Sequence, residues 1–512
     1  MSLAIVKARA KLGIEAPSVS VEAHISSGLP KFTIVGLPEA AVKESKDRVR
    51  SAIINSGFRF PQSRITVNLA PADLPKEGGR YDLPIALSLL SASSQIPTID
   101  ENIECIGELG LSGELKPVRG ILPASIYAAK DDKILVVPQA NANEAALPEK
   151  AKILAAQSLT KLCALLSKAN NKNAIVYWER QNHEESTSPD TLGSTFDLSD
   201  IRGQQHAKRA LEITATGSHN MLMQGPPGSG KTMLAMRLLS ILPPLTHEEM
   251  LEVASIYSIS EQNYSNALVQ ARPFRNPHHT ASAIALVGGG SNPRPGEISL
   301  AHQGVLFLDE LAEFDRKVLD VLRQPMESGE MIISRAKQQV RFPSDFQLIA
   351  AMNPCPSGYK ACTPDTCRCS AEQVKRYKAR ISGPLLDRID IHIEVPPVPT
   401  SDLAGDKQNA TQEETSKAVA QRVYRAKQVQ YERSGKMNAA LSVKEIEAHC
   451  KLAPTEQKLL INAIDKLQLS ARSYHKILKL ARTIADLDQT HGIEKHHLVE
   501  AISFRNFDRF IN

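Results

Sequence analysis

The glycine-rich stretch GPPGSGKT at residues 225–232 constrains the fold more than any other part of the chain. It follows an apolar run at 220–224 and precedes a helix-forming segment at 233–242. In this strand–loop–helix order, glycines let backbone N–H groups surround phosphate oxygens, and the helix N-terminus adds its dipole. Lys231 would reach the β- and γ-phosphates, and Thr232 would ligate Mg²⁺. The predicted phosphate-binding residues are Gly225, Pro226, Pro227, Gly228, Ser229, Gly230, Lys231 and Thr232.

A second motif supplies two acidic residues. GVLFLDE at 304–310 places four apolar residues before Asp309 and Glu310, which is typical of a central strand that delivers carboxylates at its C-terminal edge. Asp309 would hold Mg²⁺ and Glu310 would orient the attacking water. We expect both acids to be buried, where an unpaired charge costs several kcal/mol and therefore indicates function. Together the two motifs predict an ATPase with an α/β core and bound ATP and Mg²⁺.

A third polar residue follows another strand. The apolar run at 346–352 ends at Asn353, whose amide could hydrogen-bond the γ-phosphate or the attacking water; the alternative is a turn-forming Asn before Pro354. Lys231 and Asp309 are 78 positions apart, which is too long for one strand–helix step. The sequence therefore predicts an insertion between the two motifs.

These motifs resemble an AAA+ ATPase of the magnesium-chelatase-like branch, which is related to the MCM helicases. The resemblance also includes GPLLDRID at 383–390 and LSARSYHKILKLARTIADL at 469–487, and it covers about 197–510. By position, Arg388 resembles the arginine finger that reaches the neighbouring subunit's ATP, and Arg472 resembles the sensor 2 arginine of the helical lid. Surface ion pairs are the alternative for both. A finger that acts between subunits implies an oligomer, most simply a homohexameric ring.

Two insertions are interpreted through the same resemblance. Residues 272–304 resemble the helix-2 insertion, a loop that faces the ring pore. Its adjacent His278 and His279 are not expected to bind metal, because neighbouring side chains point apart and no carboxylate is suitably spaced. Residues 331–346 alternate around SRAKQQ and predict a hairpin. In the related branch such a hairpin holds the DNA backbone, and the resemblance therefore implies that three cations of this segment contact phosphates. The alternative is that they lie at a solvated hairpin tip. The three cations are Arg335, Lys337 and Arg341.

Four of the seven cysteines fall within 15 residues. Such clustering in a reducing compartment favours thiolate binding of Zn²⁺, which would close a loop too short for its own core. The spacing lacks the usual C-x2-C pairs, so free or redox-active thiols and an iron–sulfur cluster stay open as alternatives. The candidate zinc ligands are Cys355, Cys362, Cys367 and Cys369.

The first block, residues 1–168, resembles a Lon-protease-like α+β domain of the ribosomal S5 type. In PKEGGRYD at 75–82, Arg80 and Tyr81 occupy the region of the serine nucleophile, and the lysine of the dyad falls near Leu122. A Ser–Lys dyad without either partner cannot acylate, so a scaffold or DNA-guiding role is predicted. Four cations of this block could either contact DNA phosphates or lie on solvated charged faces, and the sequence supports both interpretations equally well. They are Arg48, Arg50, Lys76 and Arg80.

Composition bounds the remaining possibilities. The 61 basic and 56 acidic residues give a net charge of +5, which permits nucleic-acid binding without requiring it. Aromatic residues make up only 4%, which disfavours a base-stacking platform and favours phosphate contacts. No apolar stretch is long enough to cross a bilayer, no secretory leader is evident, and the odd number of cysteines favours a cytoplasmic protein.

The whole domain order resembles the bacterial YifB/ComM family. It comprises the Lon-like block at 1–168, a linker at 169–196, an AAA+ P-loop α/β core at 197–400 and a C-terminal helical lid at 414–512. The resemblance implies a hexameric DNA helicase or translocase that drives branch migration when incoming single-stranded DNA recombines during natural transformation. Implied partners are single-stranded and branched DNA and recombination proteins, without a membrane. The alternatives are an AAA+ unfoldase or chaperone, although SRAKQQ lacks a pore aromatic, and a chelatase-type regulatory ATPase.

Overall fold

The computed structural model describes residues 2–37, 39–168, 178, 196–260, 271–290, 293–335, 338–357, 369–398, 413–467 and 469–505. The chain forms two compact units. The N-terminal unit comprises residues 1–186, 250–268 and 334–342, and the C-terminal unit comprises residues 187–249, 269–333 and 343–512. Most of the predicted linker, 169–177 and 179–195, lies outside the described residues.

The N-terminal unit is built on a seven-stranded mixed sheet. The strands of its first 168 residues are β1 (Ser2–Arg9), β2 (Ser18–Ser26), β3 (Lys31–Val35), β4 (Arg64–Ala70), β5 (Ile103–Cys105), β6 (Glu108–Leu109), β7 (Leu115–Lys116), β8 (Ile134–Pro138) and β9 (Lys152–Ala156). The helices are α1 (Ala40–Asn55), α2 (Asp82–Ala92), α3 (Ile121–Lys130), α4 (Ala142–Ala145) and α5 (Leu159–Lys168). The sheet order is β3-β4-β2-β1-β5-β8-β9; β2 runs antiparallel to β1 and β4, and the other neighbours are parallel.

The alternation of apolar and polar residues explains why the strands of this sheet form. The predominance of apolar residues on every side of α2 explains why that helix lies in the core. In β4 every second residue is buried, as expected for a strand with one face on the core. Every residue of α2 is buried, because this helix is apolar on all sides and packs against β1 and β2. The apolar stretch at 83–92 is therefore a core helix. The similarity of this region to Lon-type proteases stays a prediction.

The C-terminal unit contains a five-stranded, wholly parallel sheet. Strands after residue 200 are β10 (Met221–Gln224), β11 (Phe274–Arg275), β12 (Gly288–Gly289), β13 (Arg294–Pro295), β14 (Val305–Leu308), β15 (Glu330–Arg335), β16 (Gln338–Pro343), β17 (Gln347–Met352) and β18 (Ile391–Glu394). The sheet order is β11-β14-β17-β10-β18. All residues of β10, β14 and β17 are buried, as is usual for parallel strands covered on both faces.

Helices cover this sheet and form the C-terminal region. Up to residue 398 they are α6 (Gln205–Gly217), α7 (Lys231–Ile241), α8 (His247–Ile259), α9 (Ala283–Val287), α10 (Glu297–Leu300), α11 (Arg316–Asp320), α12 (Pro325–Ser328), α13 (Ala371–Lys378) and α14 (Gly383–Leu386). The C-terminal region adds α15 (Ser416–Ser434), α16 (Val443–His449), α17 (Pro454–Leu467), α18 (Ala471–Leu487) and α19 (Lys495–Ser503). The predicted α/β core and helical end are thus present.

Two segments from the middle of the chain pack within the N-terminal unit. Gly120 donates its N–H to the carbonyl oxygen of Ser258 near the end of α8 (3.0 Å). Ala254 of α8 joins Leu122 and Leu147 in a small apolar cluster. Gly13 lies against Val340 of the β15–β16 hairpin, so closely that a Cβ at residue 13 would meet Val340 Cγ1 at 2.4 Å. The end of α8 and strand β16 therefore contribute to the N-terminal core.

Within the described residues, none of the helices combines the length and the apolar character that a transmembrane segment needs.

Candidate functional site

The phosphate-binding loop connects β10 to α7 at the carboxyl end of the parallel sheet. Gly228 and Gly230 have φ of +77° and +86°, a conformation that favours glycine, and neither position has other atoms within 4 Å of a built Cβ. Gly225 is constrained differently, since a Cβ there would lie 2.3 Å from the carbonyl oxygen of Val395. The loop therefore exposes backbone on one side and packs tightly against Val395, the residue after β18, on the other.

Lys231, at the start of α7, is folded over this loop. Its Nζ donates to the carbonyl oxygens of Gly225 (2.7 Å) and Pro226 (3.0 Å) and to Asn353 Oδ1 (3.3 Å). Burial lowers the pKa of Lys231, and the nearby charges of Asp309 and Glu310 oppose that shift. The predicted phosphate-binding lysine and the predicted Asn353 therefore share one hydrogen-bonded group.

Thr232 and Asp309 form the candidate magnesium site. Thr232 Oγ1 donates to Asp309 Oδ2 at 2.8 Å, which joins α7 to the end of β14. A hydroxyl and a carboxylate at this spacing are oxygen ligands of the kind that Mg²⁺ prefers. The Thr232 hydroxyl and the Asp309 carboxylate therefore fit Mg²⁺, the ion that the two motifs predict.

The expectation that both acids are buried is wrong. Asp309 is partly exposed, and the Glu310 side chain is 50% exposed. The reason is their position: β14 ends at Leu308, and the next residues leave the buried sheet at its edge. Glu310 adopts a φ of +53°, and its N–H donates to Asp309 Oδ1 at 2.9 Å. The two carboxylates thus lie at an accessible rim where a ligand can reach them.

His279 contacts Glu310, which the sequence analysis did not foresee. His279 Nδ1 lies 3.3 Å from Glu310 Oε2. A carboxylate therefore lies beside this histidine although none is suitably spaced from it in the sequence. No sequence motif links the two residues; they meet because β11 pairs with β14, and residues that follow two adjacent parallel strands leave the sheet at the same edge.

Asp387 precedes Arg388 in the chain and lies close to Arg472. The Arg388 guanidinium pairs with Glu327 and donates to the carbonyl oxygen of Pro384 (2.5 Å). Arg472, near the start of α18, is 66% exposed, and its Nη1 is 3.8 Å from Asp387 Oδ2. Both predicted arginines are therefore paired with carboxylates of the same chain, and only 15% of the Arg388 side chain is exposed.

Two of the three predicted DNA-binding cations, Arg335 and Arg341, lie on the strands of the β15–β16 hairpin. Arg335 is the last residue of β15, and Arg341 lies on β16 with an exposed side chain. Lys337 falls outside the described residues. The hairpin exists where the alternating pattern predicted it, and its phosphate contacts stay a prediction.

The described cysteines of the cluster lie close together. Cys355 Sγ and Cys369 Sγ are each 3.2 Å from Ser357 Oγ. Cys355 is buried and Cys369 is half-buried, while Cys362 and Cys367 lie outside the described residues. Two of the four predicted thiols therefore share a neighbour, as a common ligand site would require.

A second group of metal-ligand type lies between α18 and α19. Asp488, His496 and His497 have ligand atoms within 4.8 Å of one another. His497 Nδ1 accepts a hydrogen bond from the N–H of Glu494 (2.9 Å), so the proton of this ring is on Nε2, which faces Asp488 Oδ2 at 3.3 Å. This tautomer leaves Nε2 without a free lone pair, and the group is better described as a helix cap.

The four cations of the N-terminal block do not form one solvated face. Lys76 and Arg80 are buried; Lys76 donates to the carbonyl oxygen of Pro71, and Arg80 donates to that of Gly120 (3.3 Å). Arg48 pairs with the buried Asp82 at 2.8 Å. Arg50 alone of the four is exposed, above the ring of Phe60. The solvated-face interpretation is therefore wrong for Lys76 and Arg80, whose burial also keeps them from a DNA backbone.

Comparisons with known proteins agree with this geometry. A family model described as magnesium chelatase, subunit ChlI, matches residues 197–403. A second model, described as the C-terminal part of the same subunit, matches residues 413–505. A third, described as subunit ChlI of Mg-chelatase, matches residues 21–141. The magnesium-chelatase 38 kDa subunit of Cereibacter sphaeroides is 27% identical over 176 residues, which covers 31% of this chain and 53% of that subunit.

Two other relatives match over the whole chain. Competence protein ComM of Haemophilus influenzae is 51% identical over 516 residues, which covers 100% of this chain and 99% of that protein. The uncharacterised protein YifB of Escherichia coli is 48% identical over 513 residues, with 100% and 98% covered. These identities extend across both compact units.

Proposed function

Since the chain belongs to the YifB/ComM family of magnesium chelatase-like AAA+ proteins, we propose that it is an ATP-driven DNA helicase that promotes branch migration. The family implies ATP hydrolysis with Mg²⁺. The observation that carries the proposal is the convergence of Lys231, Thr232, Asp309 and Asn353 at one edge of the parallel sheet. The competence protein among its relatives supports a role in the recombination of incoming single-stranded DNA during natural transformation, in the cytoplasm.

Each side chain at this edge has a defined task in ATP hydrolysis. The loop N–H groups and Lys231 would bind the phosphates, and Thr232 and Asp309 would hold Mg²⁺, whose chemistry is to supply positive charge at the phosphate oxygens. Glu310 orients the attacking water, and Asn353 contacts the same water or the γ-phosphate. The hydrogen bond from Lys231 to Asn353 shows that both side chains reach the same point.

The proposal includes a homohexameric ring in which Arg388 completes the neighbouring subunit's site. Its support is the position of Arg388 next to Asp387 in the chain, with the exposed Arg472 3.8 Å from the Asp387 carboxylate. An arginine that reaches the γ-phosphate between subunits couples hydrolysis to assembly, and in GTPases such a finger contributes about 10³–10⁵ in rate.

The work of such a ring would be directional movement along DNA. Strand exchange is nearly neutral in free energy, because each broken base pair is replaced by a new one. Hairpin cations that hold phosphates would move with each hydrolysis step and carry the junction past mismatches. Recombination proteins that supply the junction are the expected protein partners.

The decisive experiment is ATP-dependent movement of a synthetic three- or four-strand DNA junction. We expect the wild-type protein to convert the junction into its branch-migrated products only with ATP and Mg²⁺. The Glu310→Gln variant should bind ATP but leave the junction unconverted. A protein that hydrolyses ATP as a monomer and is indifferent to added DNA would contradict the proposal.

We also propose that the cysteine cluster binds one Zn²⁺. The approach of Cys355 and Cys369 to the same Ser357 hydroxyl supports it. Metal analysis of protein purified under reducing conditions without chelators should give about one zinc per chain. The Cys355→Ser variant should lose the metal, whereas Cys163→Ser, at a buried thiol outside the cluster, should retain it. A zinc-free wild-type protein would contradict the assignment.

A further inference from the structure

Arg80, in the N-terminal unit, is a buried guanidinium with unused hydrogen-bond donors. It lies in a short turn at Gly79–Tyr81, directly before α2, and only 5% of the residue is exposed. Its Nη2 donates to the carbonyl oxygen of Gly120 (3.3 Å), but its Nε and Nη1 have no hydrogen-bond partner among the described residues. A guanidinium keeps its charge in proteins and can only donate, so these nitrogens need an acceptor.

No carboxylate of the described residues forms an ion pair with Arg80. The nearby Asp82 pairs instead with Arg48, at 2.8 Å. Burial lowers the pKa of Arg80, although Tyr81 and Glu77 favour its charged form through space. An uncompensated buried charge costs several kcal/mol. A water molecule would complete the hydrogen bonds but leave the charge uncompensated, whereas an anion would meet both needs.

Arg80 reaches the N-terminus of a helix. Gly120, whose carbonyl oxygen accepts the hydrogen bond from Arg80, is the N-cap residue of α3, and no side chain caps the helix from that position. Its φ of +72° favours glycine. The first N–H groups of a helix lack partners within the helix and carry partial positive charge. The guanidinium and the helix end therefore place positive potential at the same point.

Glu144 caps part of this helix end without serving Arg80. Its carboxylate accepts hydrogen bonds from Ser258 Oγ (2.5 Å), from Asn141 Nδ2 (3.4 Å) and from the N–H of Leu122. Burial raises the pKa of Glu144, and these hydrogen bonds oppose that shift. All three donors are neutral groups. The unused donors of Arg80 are therefore left for another acceptor.

The surroundings of Arg80 limit that acceptor to a small ion. Gly120, Ile121 and Leu122 are buried like Arg80, so a DNA backbone or a peptide cannot reach them. The turn that carries Arg80 follows Gly78, an exposed glycine with φ of +68° and no atom within 4 Å of a built Cβ. This free space lets the turn move enough to admit an ion. Oxyanion oxygens are strong acceptors for guanidinium N–H groups.

We propose that Arg80 and the N-terminus of α3 bind one small oxyanion, with inorganic phosphate as its representative. Its oxygens accept from the unused guanidinium donors, and the helix dipole favours its charge. The ion joins the turn before α2 to the start of α3. Because Gly120 also donates its N–H to the carbonyl oxygen of Ser258 (3.0 Å), the ion stabilises the docking of the end of α8 as well. The site does not depend on ATP hydrolysis.

The test is equilibrium dialysis of the full-length protein against labelled inorganic phosphate at constant ionic strength. The phosphate-binding loop can take the same ion, so Lys231→Ala serves as the background protein. Adding Arg80→Met should raise the Kd for phosphate at least about tenfold, the effect of losing one hydrogen bond to a charged group. Arg119→Met, at an exposed arginine beside the same glycine, is the matched control and should bind like the background. Equal binding by the background and by folded Arg80→Met would overturn the proposal.

Two further measurements on the same proteins do not depend on the dialysis. Phosphate should raise the urea midpoint of the background protein but not that of Arg80→Met, which without phosphate should be at least as stable because it lacks the uncompensated charge. Phosphate should also slow amide hydrogen exchange of the background protein at residues 79–82 and 120–126. Exchange there that phosphate leaves unchanged would overturn the site even if Arg80→Met does not fold.

Discussion

At the scale of single residues, the nucleotide site depends on side chains that are already held in place by the protein. Lys231 makes three hydrogen bonds within the loop and to Asn353, and Thr232 is bonded to Asp309. Such prior organisation removes much of the entropic cost of positioning catalytic groups. The site should therefore be sensitive to single substitutions.

Lys231→Ala should abolish ATP hydrolysis. The substitution removes the buried ammonium that would neutralise phosphate charge, and loss of one such group costs about 10²-fold or more in kcat. We expect turnover to fall to background and nucleotide binding to weaken in a filter or fluorescence assay. Lys417→Ala, at an exposed lysine on α15, should retain wild-type values. Normal hydrolysis by Lys231→Ala would refute the phosphate-binding loop.

Asp390 makes stability depend on pH in the acid range. Although burial disfavours its charged form, the ammonium of Lys476, 3.0 Å away, and His219 hold the pKa of Asp390 well below its ordinary value of 3.8. A depressed folded-state pKa contributes stability above the unfolded value, and this is lost as the pH falls below about 4.

Asp390→Asn should therefore be most destabilising near neutral pH. It leaves Lys476 without its carboxylate, and the loss should be about 3 kcal/mol at pH 7, shrinking as the pH is lowered from 4 to 3. Urea unfolding at a series of pH values measures it. Asp465→Asn, at an exposed aspartate of α17, is the matched control. A loss that is independent of pH would show that the charge of Asp390 does not contribute.

At the scale of elements, local sequence patterns predicted the individual strands, loops and helices of the site well. They did not predict how elements that are distant in the sequence pack against one another. β10, the phosphate-binding loop and α7 follow from residues adjacent in sequence, as does the strand before Asp309. The exposure of Glu310 depends on where β14 leaves the sheet, and its contact with His279 depends on the pairing of β11 with β14. No local periodicity contains that information, because it lies in the tertiary arrangement.

The packing of Gly13 against the hairpin gives a prediction of this kind. Gly13→Ala should lower stability by about 1–3 kcal/mol more than Gly57→Ala. Both glycines have positive φ, +59° and +81°, so backbone strain is matched, but only the new methyl at residue 13 would meet Val340. Urea unfolding followed by circular dichroism measures both. Equal losses would contradict the close approach.

The hairpin cations should determine the salt dependence of DNA binding. In the Arg335→Ala/Lys337→Ala variant, affinity should fall for all DNA sequences, and the slope of log K against log salt should decrease by roughly one unit per lost phosphate contact. Fluorescence anisotropy between low and moderate salt measures this. Arg376→Ala, at a side chain 78% exposed on α13, should leave the slope unchanged. An unaltered slope in the hairpin variant would exclude phosphate contacts there.

At the scale of the whole molecule, Arg388 tests whether active sites are shared between copies. Alone, Arg388→Ala and Glu310→Gln should both be inactive. Mixed in equal amounts, they should recover roughly a quarter of wild-type hydrolysis, since that fraction of subunit junctions pairs an intact Glu310 with an intact Arg388 of its neighbour. No recovery in mixed assemblies would place both residues in the same subunit's site.

The contribution of α8 and the hairpin to the N-terminal core has a practical consequence for dissecting this protein. Ala254, Val340 and Phe342 are buried there, far along the chain from the residues they pack against. A fragment that begins at residue 197 would expose these apolar side chains to water and would tend to aggregate. Proteolytic nicking at the polar stretch near residue 180 should accordingly yield two pieces that stay associated until they are denatured.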